Sequence, residues 1–421
     1  MMPSKESNKE AFVWIWLPKE TQPVVAGKLE DDNGNILFNY GKSYLERIND
    51  TNPAISIYEP ELPLKAGSLP LLDGLSMPGC IRDSAPDAWG RRVIINKKLG
   101  QKGKDTDTDD LGELTYLLES GSDRIGALDF QRSPTEYVAR SASNVSLEEL
   151  LASAARVEKG VPLTPELDQA LFHGTSIGGA RPKALIVDQG TQYVAKFSSS
   201  TDIYSLVKAE YIAMRLAALA GLDVAPVKMT QAANKDVLLI ERFDRRQSDV
   251  GWTRRGMISA LTMFGLNDMT ARYASYTDLA EIIRYRFTEP KRTLNELFSR
   301  LVFNILCGNT DDHAKNHAAF WDGKELTLTP AYDICPQGRT GNEASQAMKI
   351  VGGNNLSQLK FCLKATHHFL LSQEDAVGIF KHTEAVVREY WDEVCQDAGL
   401  SEIDKKLLWG RQFLNPFSFE E

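Results

Sequence analysis

The sequence predicts an α+β fold: a β-rich first part, then a sheet carrying one helix, then a mainly helical body, the last two packed as lobes around a cleft. Three observations predict it. Short apolar runs parted by Gly-containing turns recur before about residue 250. Apolar residues at helical spacing dominate after about residue 255. The 421 residues are too many for one small core. The divisions are expected at 1–140, 141–250 and 251–421.

The first strand is the apolar run Ala11 to Leu17. Runs 23–29 and 35–40 flank Asp31-Asp32-Asn33-Gly34, and Asn-Gly between such runs signals a hairpin. Residues 101–110 are polar and read as an exposed loop. A helix is expected from Ser146, with Glu149 completing a capping box, and another from Thr164 with Pro165 at its first position. Runs 183–187 and 192–197 flank Asp188-Gln189-Gly190 as a second hairpin, and 237–240 is a further strand. Between them Ile212, Leu216 and Leu219 mark a helix over about 206–220 that Gly221 ends. Phe298, Leu301, Val302 and Ile305 form one buried helical face, and Gly308 stops that helix. A late helix opens at Ser372, with Asp375 in its first turn, and continues toward Gly399 with or without a break.

Composition narrows the function classes. A hydrophobic content of 43% and a charged content of 25% are those of a globular chain. The net charge of −9 argues against a strongly basic nucleic-acid surface, so any contact with DNA is expected through a partner. The five cysteines are scattered without a Cys-x-x-Cys pair, which suits a reducing compartment. The polar start and the lack of an uncharged run of roughly 20 apolar residues predict a cytoplasmic protein without membrane contact.

The chemistry concentrates in Gly308-Asn309-Thr310-Asp311-Asp312-His313-Ala314-Lys315-Asn316-His317. Asp311 and Asn316 have the Asp-x-x-x-x-Asn spacing of a kinase catalytic loop, where the aspartate takes a hydroxyl proton and the asparagine holds magnesium. Asp333, 17 residues beyond Asn316, is a second candidate metal ligand. Lys196 ends Val194-Ala195-Lys196, similar to the phosphate-binding strand of kinases, and Glu210 on the next helix is placed to hold it. Taken singly, Lys196 is an edge-strand lysine with its ammonium in water, and Glu210 is a favourable charge at a helix N-terminus. Their order ahead of Asp311 favours the pairing.

Thr175 to Lys183 is a small-residue turn, neither a Walker motif nor a protein-kinase glycine loop. Its glycines permit close approach to phosphates, and Arg181 and Lys183 add charge. Glu241 to Arg246 stands where a hinge between lobes would come, and reads equally as an ordinary charged strand end. Lys315 could neutralise a transferring phosphoryl group, and His313 could orient the loop or touch phosphate. His313 and His317, four apart, have zinc-ligand spacing but lack the intervening glutamate and a clear third ligand. His367-His368 reads as a surface pair, and no metal is assigned to Asp105–Asp110.

Collectively these segments resemble the HipA family of serine/threonine kinase toxins. The resemblance is carried, in order, by 175–183, 194–196, 209–211, 241–245, 309–317 and 328–334, with Pro86 to Arg91 and Arg124 to Leu128 upstream. It implies a kinase-like two-lobed fold that uses ATP and magnesium. Asp311 would be the base, and Asn316 and Asp333 would hold the metal. Lys196 would contact ATP phosphates, with Gly178, Gly179, Ala180, Arg181 and Lys183 closing over them. Glu241 and Phe243 would sit at the adenine, and His313, Lys315 and Tyr332 would line the site. Ser176 matches the family's autophosphorylated serine, whose phosphate would expel the loop and switch the kinase off.

The resemblance also implies a small helix-turn-helix antitoxin as partner, forming with it a repressor of the pair's own operon. The substrate would be a protein, by family precedent glutamyl-tRNA synthetase, whose phosphorylation halts growth and produces persistence. Asp312 stands where some members have glycine, and Arg181-Pro182 replaces a Gln-Glu type of sequence. A small-molecule phosphotransferase and a non-catalytic corepressor subunit of a DNA-binding complex are the alternatives.

Overall fold

The computed structural model describes residues 8–49, 51–99, 111–140, 147–158, 181–198 and 204–420. Ser146, the helix expected from Thr164 and the loop at 101–110 lie outside them, as do Ser176, Gly178, Gly179 and Ala180.

Strands β1 (Glu10–Ile15), β2 (Val24–Asp32), β3 (Asn35–Tyr40) and β4 (Leu128–Gln131) make an antiparallel sheet in the order β3-β2-β1-β4. Asn33 and Gly34 turn the β2–β3 hairpin with φ of 54° and 91°, the mirror-image turn that matches strand twist. Helices α1 (Ala88–Leu99) and α2 (Glu113–Glu119) precede β4.

After α3 (Leu147–Glu158), strands β5 (Lys183–Asp188) and β6 (Thr191–Phe197) form the second expected hairpin, turned at Gln189 and Gly190. Helix α4 (Leu206–Leu219) leads to β7 (Val227–Ala232) and β8 (Lys235–Glu241). The sheet order is β5-β6-β8-β7, which puts β6 inside the sheet rather than at its edge. One face carries Ala184, Ala195, Phe197, Val237 and Leu239, and packs on Trp89 and Val93 of α1 and Leu150 and Leu151 of α3. On the other face Lys183 and Lys196 stand directly opposite each other, with Leu238 next along the row. In β7 only Val227 and Met229 alternate with polar residues, too short a pattern to stand out in the sequence.

The hairpin β9 (Arg245–Ser248) and β10 (Gly251–Arg254) precedes β11 (Gly256–Ser259). Helices α5 (Tyr276–Arg286) and α6 (Pro290–Cys307) follow. Strands β12 (Ala318–Trp321) and β13 (Leu326–Leu328) complete a sheet in the order β11-β12-β13 within the otherwise helical body. Helices α7 (Leu359–Ala365), α8 (Gln373–Asp397) and α9 (Glu402–Leu408) close the chain. The capping box of Ser372 and Asp375 opens α8, which runs unbroken for 25 residues.

Helix α6 buries Leu294, Leu297, Phe298, Leu301, Val302 and Ile305, so its end is fixed in space. It stops at Gly308, where φ is 73° and an added Cβ would lie 2.6 Å from the Gln412 carbonyl oxygen. Gly308→Ala is expected to lose roughly 2 kcal/mol or more, from left-handed strain plus the clash. Urea unfolding of the two proteins measures this, and an unchanged midpoint would contradict it.

Candidate active site

A cavity of about 900 Å³ lies between the β5–β8 sheet and the helical body, and the N-terminal part forms one wall. Lys183, Lys196, Glu241, Phe243, His313, Lys315, Asn316, Tyr332 and Asp333 all line it, although the sequence scatters them over 150 positions, from 183 to 333.

Two lysines facing each other across adjacent strands repel, so the site needs anions to hold them. It supplies two. Lys196 Nζ lies 2.5 Å from Glu210 Oε1, reached from the first turns of α4, and also bonds Asp333 Oδ1. Burial disfavours the Lys196 charge, but the Asp333 and Glu210 carboxylates outweigh it and hold the ammonium above its ordinary pKa. Lys196 in turn pulls Asp333 well below the usual carboxylate range. Lys183 lacks this compensation in full: burial, with Lys196 beside it, pushes it down to about 8. The alternative of an edge-strand lysine with its ammonium in water does not apply, because β6 is an inner strand.

The loop after Gly308 is tied to its surroundings by backbone bonds. Gln337 N donates to Gly308 O at 2.9 Å and Ala347 N donates to Thr310 O at 3.0 Å. Residues Ala314–Asn316 make one 3-10 turn that brings Asn316 back onto the aspartate, its Nδ2 donating to Asp311 O at 3.3 Å. Asp311 itself is exposed. Burial of part of its carboxyl raises its pKa; His313 opposes this, and Asp333 and Asp312 add to it. Asp333 has a φ of 59°, a left-handed conformation that aspartate and asparagine adopt more readily than most residues other than glycine. Tyr332 donates to Lys315 O at 2.7 Å, which joins the two loops. The Nδ1 of His313 is buried without a hydrogen-bond partner among the described residues, at a wall of the cavity.

Phe243 packs with Tyr332 and Phe320, at ring centroids of 5.7 and 5.9 Å. The hinge backbone is partly committed, since Glu241 N donates to Pro226 O and Arg242 N to Gln192 O, both at 2.9 Å. Lys315 points to carboxylates that the sequence did not suggest: Asp268 at 2.8 Å and Asp87, from the N-terminal part, at 3.6 Å. Arg181 is exposed and does not line the cavity. His313 and His317 lie at a turn and just before a strand rather than on a helix, and His317 is spent on Asp312 at 2.8 Å. Among the described residues no group of three or more His, Cys, Asp or Glu side chains is gathered to hold a metal.

Residues 175–399 match the HipA-like C-terminal domain, more than half of the chain, and residues 19–131 match the HipA N-terminal domain. The chain belongs to the HipA family. Its sequence is 26% identical to Y4mE of Sinorhizobium fredii over 343 residues, 74% of each chain. It is 27% identical over 184 residues to the serine/threonine-protein kinase toxin HipA of Shewanella oneidensis, covering 38% of this chain and 42% of that one. Among solved structures, HipA from the Shewanella oneidensis complex of HipA, HipB and operator DNA superposes with a TM-score of 0.67 over 91% of this chain and 92% of its own, at 19% identity. The mixed fold is therefore that of HipA, and the family supplies toxin kinases.

Proposed function

We propose that this HipA-family chain is an ATP- and magnesium-dependent serine/threonine-protein kinase that acts as a growth-halting toxin. The observation that carries this reading is the pair Lys183 and Lys196, opposed on one sheet face inside a cavity, with Lys196 gripped by Glu210 and Asp333. That face is built to receive a polyanion, and a nucleotide triphosphate is the polyanion that the catalytic loop can use. The orphaned His313 Nδ1 is a further donor or acceptor for a ligand in the same cavity.

The donor set fits magnesium. This ion takes one or two protein groups and completes its shell with phosphate oxygens and water. Asp333 stays anionic, and Asn316 spends its amide nitrogen on Asp311, which leaves an oxygen of the right kind. The ion supplies charge neutralisation to the phosphates when bound. In the proposed reaction Asp311 accepts the proton of a serine or threonine hydroxyl, whose oxygen bonds the γ-phosphorus as the bond to ADP breaks. Lys196 holds the phosphates. Phe243 and Tyr332 pack the base, with Glu241 beside it. Lys183, and Gly178, Gly179 and Ala180 outside the described residues, would cover the phosphates, with the exposed Arg181 at the end of the same segment.

On the same reading the acceptor is a host protein, an aminoacyl-tRNA synthetase by family precedent. Autophosphorylation at Ser176 ends activity. The protein acts in the cytoplasm and contacts DNA only through a small helix-turn-helix antitoxin, in keeping with the HipB and operator DNA of the similar complex. Among the described residues no helix is long and apolar enough to cross a membrane. The three divisions at about 140 and 250 are taken as the N-terminal, nucleotide-binding and catalytic parts.

Incubation with magnesium and γ-labelled ATP, with and without cell lysate, followed by phosphosite mapping, tests this. Label on Ser176 and on one lysate protein is the expected result. Label only in small molecules would replace the protein kinase by a small-molecule phosphotransferase. No transfer from protein verified to be unphosphorylated at Ser176 would overturn the reading.

A further inference from the structure

The residue after the proposed base does not face the cavity. Asp312 points into the body, where Tyr276, Asp312 and His317 are 0%, 3% and 2% exposed. One carboxylate oxygen, Oδ2, accepts from both His317 Nε2, at 2.8 Å, and the Tyr276 hydroxyl. The Tyr276 ring meets the imidazole edge-on at 5.6 Å between centroids. Burial works against the Asp312 charge, but His317 and the two hydrogen bonds outweigh it and keep the carboxyl below its usual range.

Both donors are themselves fixed. Tyr276 is the first residue of α5, and its N donates to Lys349 O at 2.8 Å. His317 immediately precedes β12, and its carbonyl accepts from Ala260 N at 2.7 Å. A side chain adjacent to Asp311 is thus anchored to a helix on one side and a strand on the other. Two hydrogen bonds to one carboxylate oxygen, made from two separate elements, favour one arrangement, and only His317 Nδ1 in this cluster is left without a partner among the described residues. A looser arrangement would let the aspartate and asparagine of the loop drift.

We propose that Asp312, held by Tyr276 and His317, is a positioning residue that sets Asp311 and Asn316 in register for phosphoryl transfer. The proposal rests on the kinase reading above. It places no atom of the triad on the substrate.

His317→Leu removes one donor, Tyr276→Phe removes the other while keeping the ring, and His317→Gln returns an N–H close to the place of Nε2. Two readouts are needed, kinetics and amide hydrogen exchange of residues 311–316. His317→Leu and Tyr276→Phe are expected to lower kcat about tenfold or more, with the KM for ATP within about twofold of the parent, since the phosphate-binding strand is untouched. Exchange in 311–316 should quicken about tenfold, and His317→Gln should recover most of both losses. Folded His317→Leu and Tyr276→Phe proteins with parental kcat and exchange would overturn the proposal. If His317→Leu does not fold, Tyr276→Phe decides the outcome alone. If the parent transfers no phosphate to any acceptor, the kinase reading fails instead. The exchange measurement then decides the anchor alone, with unchanged exchange overturning it and faster exchange supporting it.

Discussion

Asp311→Asn is expected to lower phosphate transfer by on the order of 10²–10⁴-fold, with ATP still bound. The substitution keeps size and shape but removes the carboxylate proposed to accept a proton from an incoming hydroxyl. Lys183 and Lys196, proposed to hold the phosphates, and Glu210, which bonds Lys196, lie on separate elements and are untouched. Transfer is read with labelled ATP, and binding by calorimetry on the same preparation. Parental transfer in the variant would remove Asp311 from the mechanism. Loss of binding together with transfer would show that the substitution had acted on the cavity as a whole. The pH dependence carries the same information. Partial burial raises the Asp311 carboxyl, so the base is lost by protonation as pH falls through a value above the ordinary carboxylate range. The acidic limb of kcat/KM should stand correspondingly high, and the residual activity of the variant should lack it.

The second large effect concerns stability. Asp244→Ala is expected to destabilise the fold by roughly 3–5 kcal/mol, a large share of the roughly 5–15 kcal/mol that holds most domains folded. Asp244 Oδ2 accepts from Arg242 Nη2 at 2.9 Å, from Arg245 Nη1 at 2.9 Å and from Gly126 N at 2.8 Å, while Oδ1 takes Arg242 Nε at 3.0 Å. Both guanidiniums are 1% exposed, and Asp123 is the second carboxylate between them. Burial and the neighbouring Arg242 have already pushed Arg245 down to about 10, so loss of Asp244 leaves it poorly compensated. Urea unfolding at neutral pH measures the effect, and a loss below about 1 kcal/mol would mean that the network is merely a surface pair in energetic terms. For both aspartates burial opposes the charge and the arginines outweigh it, so their folded-state pKa values are depressed. Their contribution is therefore complete above the unfolded value near pH 4, and fades only as pH falls from there through the depressed values.

These two sites differ in how far the sequence disclosed them. Asp311 and Asn316 sit in one loop five positions apart, and local spacing is legible. So are the turns at Asn33-Gly34 and Gln189-Gly190, the stop at Gly308 and the cap at Ser372, because each depends on residues within one turn of chain. Arg242 and Arg245 lie in a segment that reads equally as a hinge between lobes and as an ordinary charged strand end. Their partner Asp123 lies 119 residues from Arg242, and no local pattern announces that distance. Lys196 was legible as a kinase lysine only from its order in the chain, since a single strand does not say whether it will be inner or edge. Strands β12 and β13, of 4 and 3 residues, are too short for alternation to stand out inside a helical stretch. Lys315 lines the cavity, and the sequence does not announce the carboxylates its ammonium meets, Asp268 and Asp87, which are brought to it by tertiary packing.

The way the N-terminal part meets the nucleotide-binding sheet limits how the chain can be divided. Trp89 and Val93 cover one face of that sheet, and Asp123, Arg124 O and Gly126 O receive the guanidiniums of the hinge. A fragment beginning near residue 141 would strip Trp89 and Val93 from an apolar sheet face and leave Arg242 and Arg245 with Asp244 as their one remaining carboxylate among the described residues. The part from about residue 141 onward is therefore not expected to fold on its own. A minimal enzyme made by truncation should misfold or aggregate, whereas co-expression of the two pieces as separate chains would let the missing surface be restored by association.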